Sequence, residues 1–199
     1  MRQRRTALSV SARYIAARAV ARHLARAQLL QRGQRIAVYA AFDGEIDLTS
    51  VIRYAQKTQC TIYAPRIVNM RARKMEFVEV QSRVGMFSVF QRSRNSILEP
   101  RFNLRSRIDP RLLDVVFVPL IAFDCRGWRL GFGAGFYDRK FSFLRRSFRK
   151  KPLLIGVGYE FQRVAVQKPS PWDVLLDGVV TEQGLTRWTK PARYDDAGP

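Results

Sequence analysis

The chain has 199 residues, which suits one large domain or two small ones and is enough for a sizeable hydrophobic core. Hydrophobic residues make up 47% and aromatic residues 12%, which excludes disorder as the main state. The formal net charge of +20 predicts attraction to phosphates, nucleic acid or anionic lipid, without choosing among them.

Several classes of protein are disfavoured. Every apolar run is shorter than the roughly 18 residues that a membrane span needs, so no membrane partner is expected. The two cysteines, Cys60 and Cys125, are too few for a disulfide scaffold and fit a reducing compartment. The single histidine, His23, disfavours a His-rich metal site or a Ser-His-Asp triad. We expect a soluble, cytoplasmic monomer.

The N-terminus has two interpretations. Residues 1–42 contain no acid and many Arg and Ala, which is typical of an organelle transit peptide and also of a basic helix that opens a domain. We favour the domain-opening helix, because the segment runs into a strand without a linker or cleavage site. The spacing predicts a helix over residues 10–31, with Ser9 as N-cap and Gly33 as the stop.

A βαβ unit follows. Residues 36–42 form a short apolar run that predicts a buried parallel strand. Residues 48–59 predict a helix, and residues 60–64 a second strand that Pro65 stops. Strand, helix and strand within about thirty residues predict a right-handed crossover.

The strongest apolar run, residues 113–123, predicts the central strand of the sheet, ending near Pro119. The other predicted segments are a half-exposed strand at 75–80, a strand at 86–90, a loop at 95–110, a helix at 136–149, and strands at 153–159 and 178–181. This alternation predicts an α/β fold, a single three-layer domain over residues 1–187 with a mostly parallel central sheet flanked by helices. Residues 188–199 are expected to fray.

A glycine-rich turn lies between the central strand and the predicted helix, where open α/β sheets bind ligands. Gly131, Gly133 and Gly135 alternate, so the backbone could approach an anion closely, and the helix start would offer free N–H groups. Asp138 falls in the first helical turn, where a carboxylate could also hold Mg²⁺. The spacing matches neither common phosphate-binding motif, so a simple capped turn stays equally open.

This turn resembles a family signature. Residues 129–139, with Arg129-Leu130-Gly131-x-Gly133-x-Gly135 followed by Phe-Tyr-Asp-Arg, resemble the motif of the 5-formyltetrahydrofolate cyclo-ligase, or 5,10-methenyltetrahydrofolate synthetase, family. Further segments resemble the same family in the same order: residues 39–47, 64–66, 97–100, 118–124, 172–173 and 177–181. The resemblance covers about residues 2–182.

The resemblance implies an enzyme that uses ATP and Mg²⁺ to cyclise 5-formyltetrahydrofolate to 5,10-methenyltetrahydrofolate, giving ADP and phosphate. The formyl oxygen would attack the γ-phosphate of ATP. N10 of the folate would then attack the phosphoimidate, and phosphate would leave. Such an enzyme mainly aligns two ligands and neutralises phosphate charge.

The resemblance also implies roles for particular residues. Glu45 would hold the pterin ring through its N–H groups, with Ala40 and Phe136 as further substrate contacts. Arg129 and Tyr137 would be catalytic, and Asp138 and Asp173 would hold Mg²⁺. The implied ATP-binding residues are Arg2, Arg4, Arg5, Arg129, Leu130, Gly131, Phe132, Gly133, Ala134, Gly135, Phe136 and Tyr137. Core packing at the helix start is an equal alternative for Phe136.

Two positions depart from the family pattern. Phe132 stands where the family commonly has Gly or a polar or basic residue, and Ala134 replaces Gly or Lys. The family also opens with a basic stretch that would lie before Met1. These differences predict altered ATP affinity more than altered folate binding.

The excess charge has three interpretations. Basic residues cluster on and after the predicted helix: Arg139, Lys140, Arg145, Arg146, Arg149, Lys150 and Lys151. We rank a solvated face first, attraction of polyglutamylated folate second and nucleic acid third, because Phe141, Leu144 and Phe148 fall at helical spacing and should meet the core. The alternative function is therefore a basic nucleic-acid-binding protein on the same fold, with lost or weakened ligase activity.

Overall fold

A computed structural model describes residues 1–80, 90–92, 98–100, 106–145, 151–165 and 170–188, with the backbone alone at 90–92 and 98–100. Parts of four sequence predictions lie outside these residues: 86–89 of a strand, 95–97 and 101–105 of a loop, 146–149 of a helix, and 189–199 of the tail. Within the described residues, no helix is both long enough and apolar enough to cross a bilayer.

The helices are α1 (Arg2–Thr6), α2 (Val10–Arg26), α3 (Thr49–Lys57) and α4 (Phe136–Lys140). The strands are β1 (Arg35–Ala37), β2 (Thr61–Asn69), β3 (Lys74–Glu79), β4 (Phe90–Arg92), β5 (Leu98–Pro100), β6 (Arg107–Ile108), β7 (Val115–Pro119), β8 (Ala122–Phe123), β9 (Arg129–Leu130), β10 (Leu153–Val157), β11 (Gly178–Val180) and β12 (Leu185–Arg187). Short 3-10 turns occupy Pro110–Leu112, Ser142–Arg145 and Glu160–Gln162.

Eight of the described strands form one sheet in the order β12-β11-β10-β7-β1-β2-β3-β6. The five strands from β11 to β2 are mutually parallel, and β12, β3 and β6 pair antiparallel at the two edges. The predicted α/β class with a mostly parallel sheet is confirmed, and β7 lies at its centre as predicted. Two small hairpins, β4-β5 and β8-β9, complete the described strands.

Hydrophobic clusters cover both faces of the sheet. Val20 and Leu24 of α2 and Ile52 of α3 are buried on one face. Phe123 and Phe141 are buried on the other, around the β8-β9 hairpin and α4. Each fully buried side chain of this size contributes about 1.5–3 kcal/mol of transfer free energy. The layers on both faces follow from this burial.

Helix α2 begins where the sequence predicts but ends earlier. The Ser9 hydroxyl accepts a hydrogen bond from Ala12 N at 3.1 Å, as expected of an N-cap. The helix ends at Arg26, not near residue 31, because Gln28 adopts a left-handed φ of 57° that turns Leu29 and Leu30 into the core. The prediction that Gly33 stops the helix is wrong.

The prediction that Pro65 ends its strand is also wrong, since β2 continues to Asn69. Val38 N donates a hydrogen bond to Tyr63 O at 2.8 Å, so the backbone N–H and C=O of Tyr63 face β1. Alternate residues point the same way, so the missing N–H of Pro65 faces the space beyond the end of β1, where no ladder bond is needed.

Other element boundaries differ from the predictions. The strand predicted at 36–42 is three residues long in β1. The loop predicted at 95–110 contains the strands β5 and β6, and α1, β9 and β12 were not predicted. Helix α4 ends at Lys140, because Phe141 leaves helical geometry (φ −106°, ψ 14°) and packs its ring 5.7 Å from that of Phe77. Phe141 and Leu144 are buried, which confirms that they meet the core, whereas Phe148 lies outside the described residues.

Candidate active site

The order of the strands defines a crevice. From β1 the chain passes through α3 to β2 on one side, whereas from β7 it passes to β10 on the opposite side. In open α/β sheets, ligands bind at the carboxyl ends of the two strands where the order reverses. Residues 38–47 follow β1 and residues 120–135 follow β7, so both segments leave the sheet at this crevice.

The first segment ends in the acidic turn, residues 42–47. Asp43 and Gly44 both adopt left-handed backbone conformations, with φ of 55° and 74°. Phe42 N donates to Glu45 Oε2 at 3.0 Å, and the Tyr39 hydroxyl donates to Ile46 O at 2.9 Å. The turn is therefore held from both of its ends.

The Glu45 carboxyl is mostly removed from solvent. Burial raises its pKa to about 7, against the opposing effects of the bond from Phe42 N and the charge of Arg5. Burial, followed by the charge of Glu45, raises the pKa of Tyr39 and of Tyr137. The charge of Glu45 thus affects both phenols, and the pKa of Glu45 itself lies near neutrality.

Helix α1 packs on the acidic turn. A Cβ on Gly44 would lie 2.9 Å from the carbonyl carbon of Arg5, so glycine alone fits this contact. The Arg5 side chain is only 1% exposed and lies 3.6 Å from the Asp43 carboxylate. Arg2 Nε lies 2.5 Å from the same carboxylate, and the Arg4 guanidinium lies 4.4 Å from the centroid of the Phe161 ring.

The second segment carries the glycine loop, residues 129–135. Gly133 and Gly135 adopt left-handed φ values of 81° and 63°, whereas Gly131 and Ala134 do not. A Cβ on Gly131 or Gly133 would meet nothing within 4 Å, so open space borders the loop. Leu130 and Phe132 are both more than half exposed. Ala134 has a negative φ, which an alanine adopts without strain.

Arg129 and Asp138 form the fixed base of this loop. Arg129 Nη2 donates to Asp138 Oδ1 at 2.6 Å, and Arg129 Nη1 donates to Val174 O at 2.5 Å. Val174 N donates a hydrogen bond to Asp138 Oδ1 at 3.0 Å. These bonds join the loop to the segment before β11.

Asp173 lies beside this base. Ser170 N donates to Asp173 Oδ2 at 2.8 Å. Burial and the nearby negative charge of Asp138 raise the pKa of Asp173, although the bond from Ser170 lowers it. The two carboxylates are thus close enough to repel each other.

The structure brings most of the predicted site residues together. Charges from both sides act on the Tyr137 hydroxyl, because its pKa, raised mainly by burial, is raised further by Glu45 and lowered by Arg129. Phe136 packs partly against the core, and Ala40 lies half-buried beyond β1. Among the described residues, no group of three or more His, Cys, Asp or Glu side chains forms a metal site.

Three residues of the site had no individual role predicted from the sequence: Tyr39, Asp43 and Val174. Asp43 could have been found from its position in the Asp-Gly turn before Glu45. The role of Val174 lies in its backbone, which leaves no trace in residue type. The helix after the glycine loop is also too short for a substantial dipole, so anion binding here would depend on loop N–H groups.

These features define an α/β protein in which two loop segments, the acidic turn and the glycine loop, leave the sheet at one crevice. The sequence profile of the 5-formyltetrahydrofolate cyclo-ligase family matches residues 1–182. The chain is 30% identical over 190 residues to the 5-formyltetrahydrofolate cyclo-ligase of Escherichia coli, covering 94% of this chain and 100% of that protein. It is 29% identical over 176 residues to the enzyme of the same name from Haemophilus influenzae, covering 88% and 90%.

The fold comparison agrees. The NMR structure of Aquifex aeolicus 5,10-methenyltetrahydrofolate synthetase superposes with a TM-score of 0.73 at 27% identity, covering 98% of this chain and 93% of that one. This chain belongs to the 5-formyltetrahydrofolate cyclo-ligase family.

Proposed function

We propose that this chain uses ATP to cyclise 5-formyltetrahydrofolate to 5,10-methenyltetrahydrofolate, releasing ADP and phosphate. One observation carries the proposal beyond family membership: the Arg5 guanidinium lies 3.6 Å from the carboxylate of Asp43 in the acidic turn and 5.6 Å from the ring centroid of Phe132 in the glycine loop, so the two segments approach each other across one side chain. A folate held by the turn would therefore lie next to a nucleotide held by the loop, as a direct transfer requires.

The acidic turn would bind the folate. A pterin ring presents adjacent N–H donors, which match the two oxygens of a carboxylate. Glu45 is already held by Phe42 N at 3.0 Å, so it needs little reorganisation to accept them. Ala40 and Phe136 would contact the rest of the folate. Because the pKa of Glu45 is about 7, binding would favour its ionised form and release a proton.

The glycine loop would bind the ATP phosphates. Its backbone N–H groups border open space at Gly131 and Gly133, which permits close approach by phosphate oxygens. The other residues proposed to contact ATP are Leu130, Phe132, Ala134, Gly135 and Tyr137. Arg129 would orient the loop and add positive charge. The ATP roles of Arg2 and Arg4 stay predictions, as do the cytoplasmic location and the monomeric state.

The reaction would proceed in two displacements. The formyl oxygen attacks the γ-phosphorus of ATP, and ADP leaves as the terminal P–O bond breaks. N10 then attacks the activated formyl carbon, loses its proton, and expels phosphate that carries the former formyl oxygen. The chain's part is to hold both substrates in line and to stabilise phosphate charge.

Asp138 and Asp173 fit a magnesium ion. In each carboxylate one oxygen accepts hydrogen bonds from the protein. Asp138 Oδ1 accepts from Arg129 Nη2 and Val174 N, and Asp173 Oδ2 accepts from Ser170 N at 2.8 Å. The other two oxygens make no hydrogen bond to a described residue. Two mutually repelling carboxylates with free oxygens suit a cation that also keeps waters and phosphate oxygens. When bound, Mg²⁺ would neutralise charge on the transferred phosphate.

The test is an assay of the methenyl product by its absorbance, with ATP and with or without Mg²⁺. We expect turnover that needs both and stops on adding a chelator. Turnover without ATP, or none at all in protein shown to bind the folate, would contradict the proposal.

A further inference from the structure

Arg5 has an unusual environment for an arginine in this chain. Its side chain is 1% exposed, although arginines are almost never fully buried unless they are paired. Nη1 donates to Leu120 O, just beyond β7, at 3.3 Å. Nη2 lies 3.6 Å from the Asp43 carboxylate. The guanidinium carbon lies 5.6 Å from the centroid of the Phe132 ring.

These contacts join three separate segments of the crevice. Asp43 belongs to the acidic turn, Leu120 to the end of the central strand, and Phe132 to the glycine loop. The backbone of Arg5 also fills the space beside Gly44, where a Cβ would come within 2.9 Å. Both the main chain and the side chain of this residue therefore determine where the turn can lie.

The burial is costly. Nε and Nη2 of Arg5 make no hydrogen bond to any described residue. A buried charge with unsatisfied donors lowers the stability of a fold, and such costs are expected where a residue serves a purpose other than stability. The exposed neighbour Arg4 carries the same charge without this cost. Position, not charge alone, distinguishes Arg5.

We infer that Arg5 is a positioning residue, which holds the acidic turn and its Glu45 at a fixed distance from the glycine loop. The inference rests on the proposed function and deepens it. It differs from the sequence expectation that Arg5 touches ATP phosphates, because the guanidinium is engaged inside the protein. Arg5 acts on the folate through Glu45 and does not itself contact the reacting atoms.

Arg5 also affects the charge of Glu45. In the described part of the chain, four titratable groups interact electrostatically with that carboxyl. Arg5 lowers its pKa, Asp43 raises it, and Glu45 in turn raises the pKa of Tyr39 and Tyr137. Loss of Arg5 would raise the pKa of Glu45 further. Less of the carboxylate that holds the pterin would then be present at neutral pH.

The test compares Arg5→Met with Arg5→Lys and with Arg22→Met, which removes the same charge from an exposed position on α2. Steady-state kinetics from pH 6 to 9 give kcat, the KM for each substrate, and the pH midpoint of kcat/KM for the folate. For Arg5→Met we expect the KM for the folate to rise about 10- to 100-fold, as a misplaced binding group would cause.

Two further signatures are expected. The KM for ATP stays within about threefold, because Arg5 does not touch phosphate. The pH midpoint moves upward in Arg5→Met but stays near the wild-type value in Arg5→Lys, which keeps the charge without the planar fork. Arg22→Met matches the wild type in every respect. Arg5→Lys keeps the test usable if Arg5→Met does not fold.

Two results would overturn the inference. A raised KM for ATP with an unchanged KM for the folate would make Arg5 a phosphate contact. An unchanged pH midpoint and folate KM in Arg5→Met would leave it a structural residue only. If the wild type shows no turnover, the proposed function fails separately. Calorimetry of folate binding without ATP then still decides the role of Arg5, with weaker binding expected in Arg5→Met.

Discussion

The acidic turn and the glycine loop face the same crevice but differ in construction. The turn is closely packed, since a Cβ on Gly44 would overlap the backbone of Arg5 at 2.9 Å, and Glu45 and Tyr39 each make an internal hydrogen bond. The loop borders open space, and a Cβ on Gly133 would meet nothing within 4 Å.

This difference matches the two proposed ligands. A pterin is rigid and is recognised by directional hydrogen bonds, which a preorganised carboxylate supplies at low entropic cost. A triphosphate is flexible and highly charged, and a loop with free space can wrap around it. Only the base of the loop, the pair formed by Arg129 and Asp138, is as firmly held as the turn.

The largest expected effect concerns that pair. In Asp138→Asn, the Arg129 side chain, only 6% exposed, loses its anionic partner, and the proposed cation loses a ligand. We expect kcat to fall by about 10²- to 10⁴-fold, in the range for removing electrostatic stabilisation of a transferred phosphate. Assays across Mg²⁺ concentrations measure this effect. The control Asp109→Asn removes a carboxylate that is 48% exposed, and it should stay within twofold of wild type. Equal activity in both variants would refute the assigned role of Asp138.

The packing of the turn predicts the next effect, on stability. In Gly44→Ala, the left-handed φ of 74° and the overlap with Arg5 together should lower the free energy of unfolding by about 2–5 kcal/mol. Gly33→Ala is the matched control, because its φ is 78° but a Cβ there meets nothing within 4 Å, so it should cost only about 1–2 kcal/mol. Urea denaturation of both variants measures the difference. Equal losses would mean that the turn is not packed as described.

Glu45 links stability to pH. Its carboxyl holds a proton up to about pH 7 in the folded protein, against 4.5 as the ordinary value, so the folded state binds more protons in that window. Stability therefore falls as the pH rises from about 4.5 to 7. Glu45→Gln should remove this fall and raise the free energy of unfolding at pH 8 by about 1–3 kcal/mol, while weakening folate binding. Denaturation at pH 5 and pH 8 tests the sign, and a variant that is less stable at pH 8 contradicts it.

The smallest effect is expected at Phe132. Its ring lies 5.6 Å from the Arg5 guanidinium carbon and is 54% exposed, so Phe132→Ala should cost less than about 1 kcal/mol. The KM for the folate should stay within twofold, because Arg5 keeps its contacts with Leu120 O and Asp43 when this half-exposed ring is removed. A large rise in that KM would show that the position of Arg5 depends on the ring more than on those two contacts.

The sequence predicted the framework well where periodicity was strong. The apolar run in β7 and the Ser9 cap of α2 were both predicted, because burial and capping restrict which residue types occupy a position. The end of α2 was missed, since the left-handed Gln28 follows from burying Leu29 and Leu30. The passage of β2 through Pro65 was missed because it depends on where the neighbouring strand stops.

The candidate site was predicted through family resemblance more than through chemistry. Spacing alone left the glycine turn open between anion binding and a simple turn. The buried position of Arg5 could not be predicted, because Arg2, Arg4 and Arg5 lie together in the sequence and nothing in residue type distinguishes the buried one. It depends on α1 packing against a turn about forty residues further along the chain.

The most direct test follows one oxygen atom. 5-Formyltetrahydrofolate labelled with oxygen-18 in its formyl group is incubated with ATP, Mg²⁺ and the protein, and the released phosphate is analysed by mass spectrometry. If the formyl oxygen attacks ATP, each phosphate formed with the methenyl product carries one labelled oxygen. Unlabelled phosphate formed together with the methenyl product would show that water, not the folate, receives the phosphoryl group, and would contradict the proposed reaction.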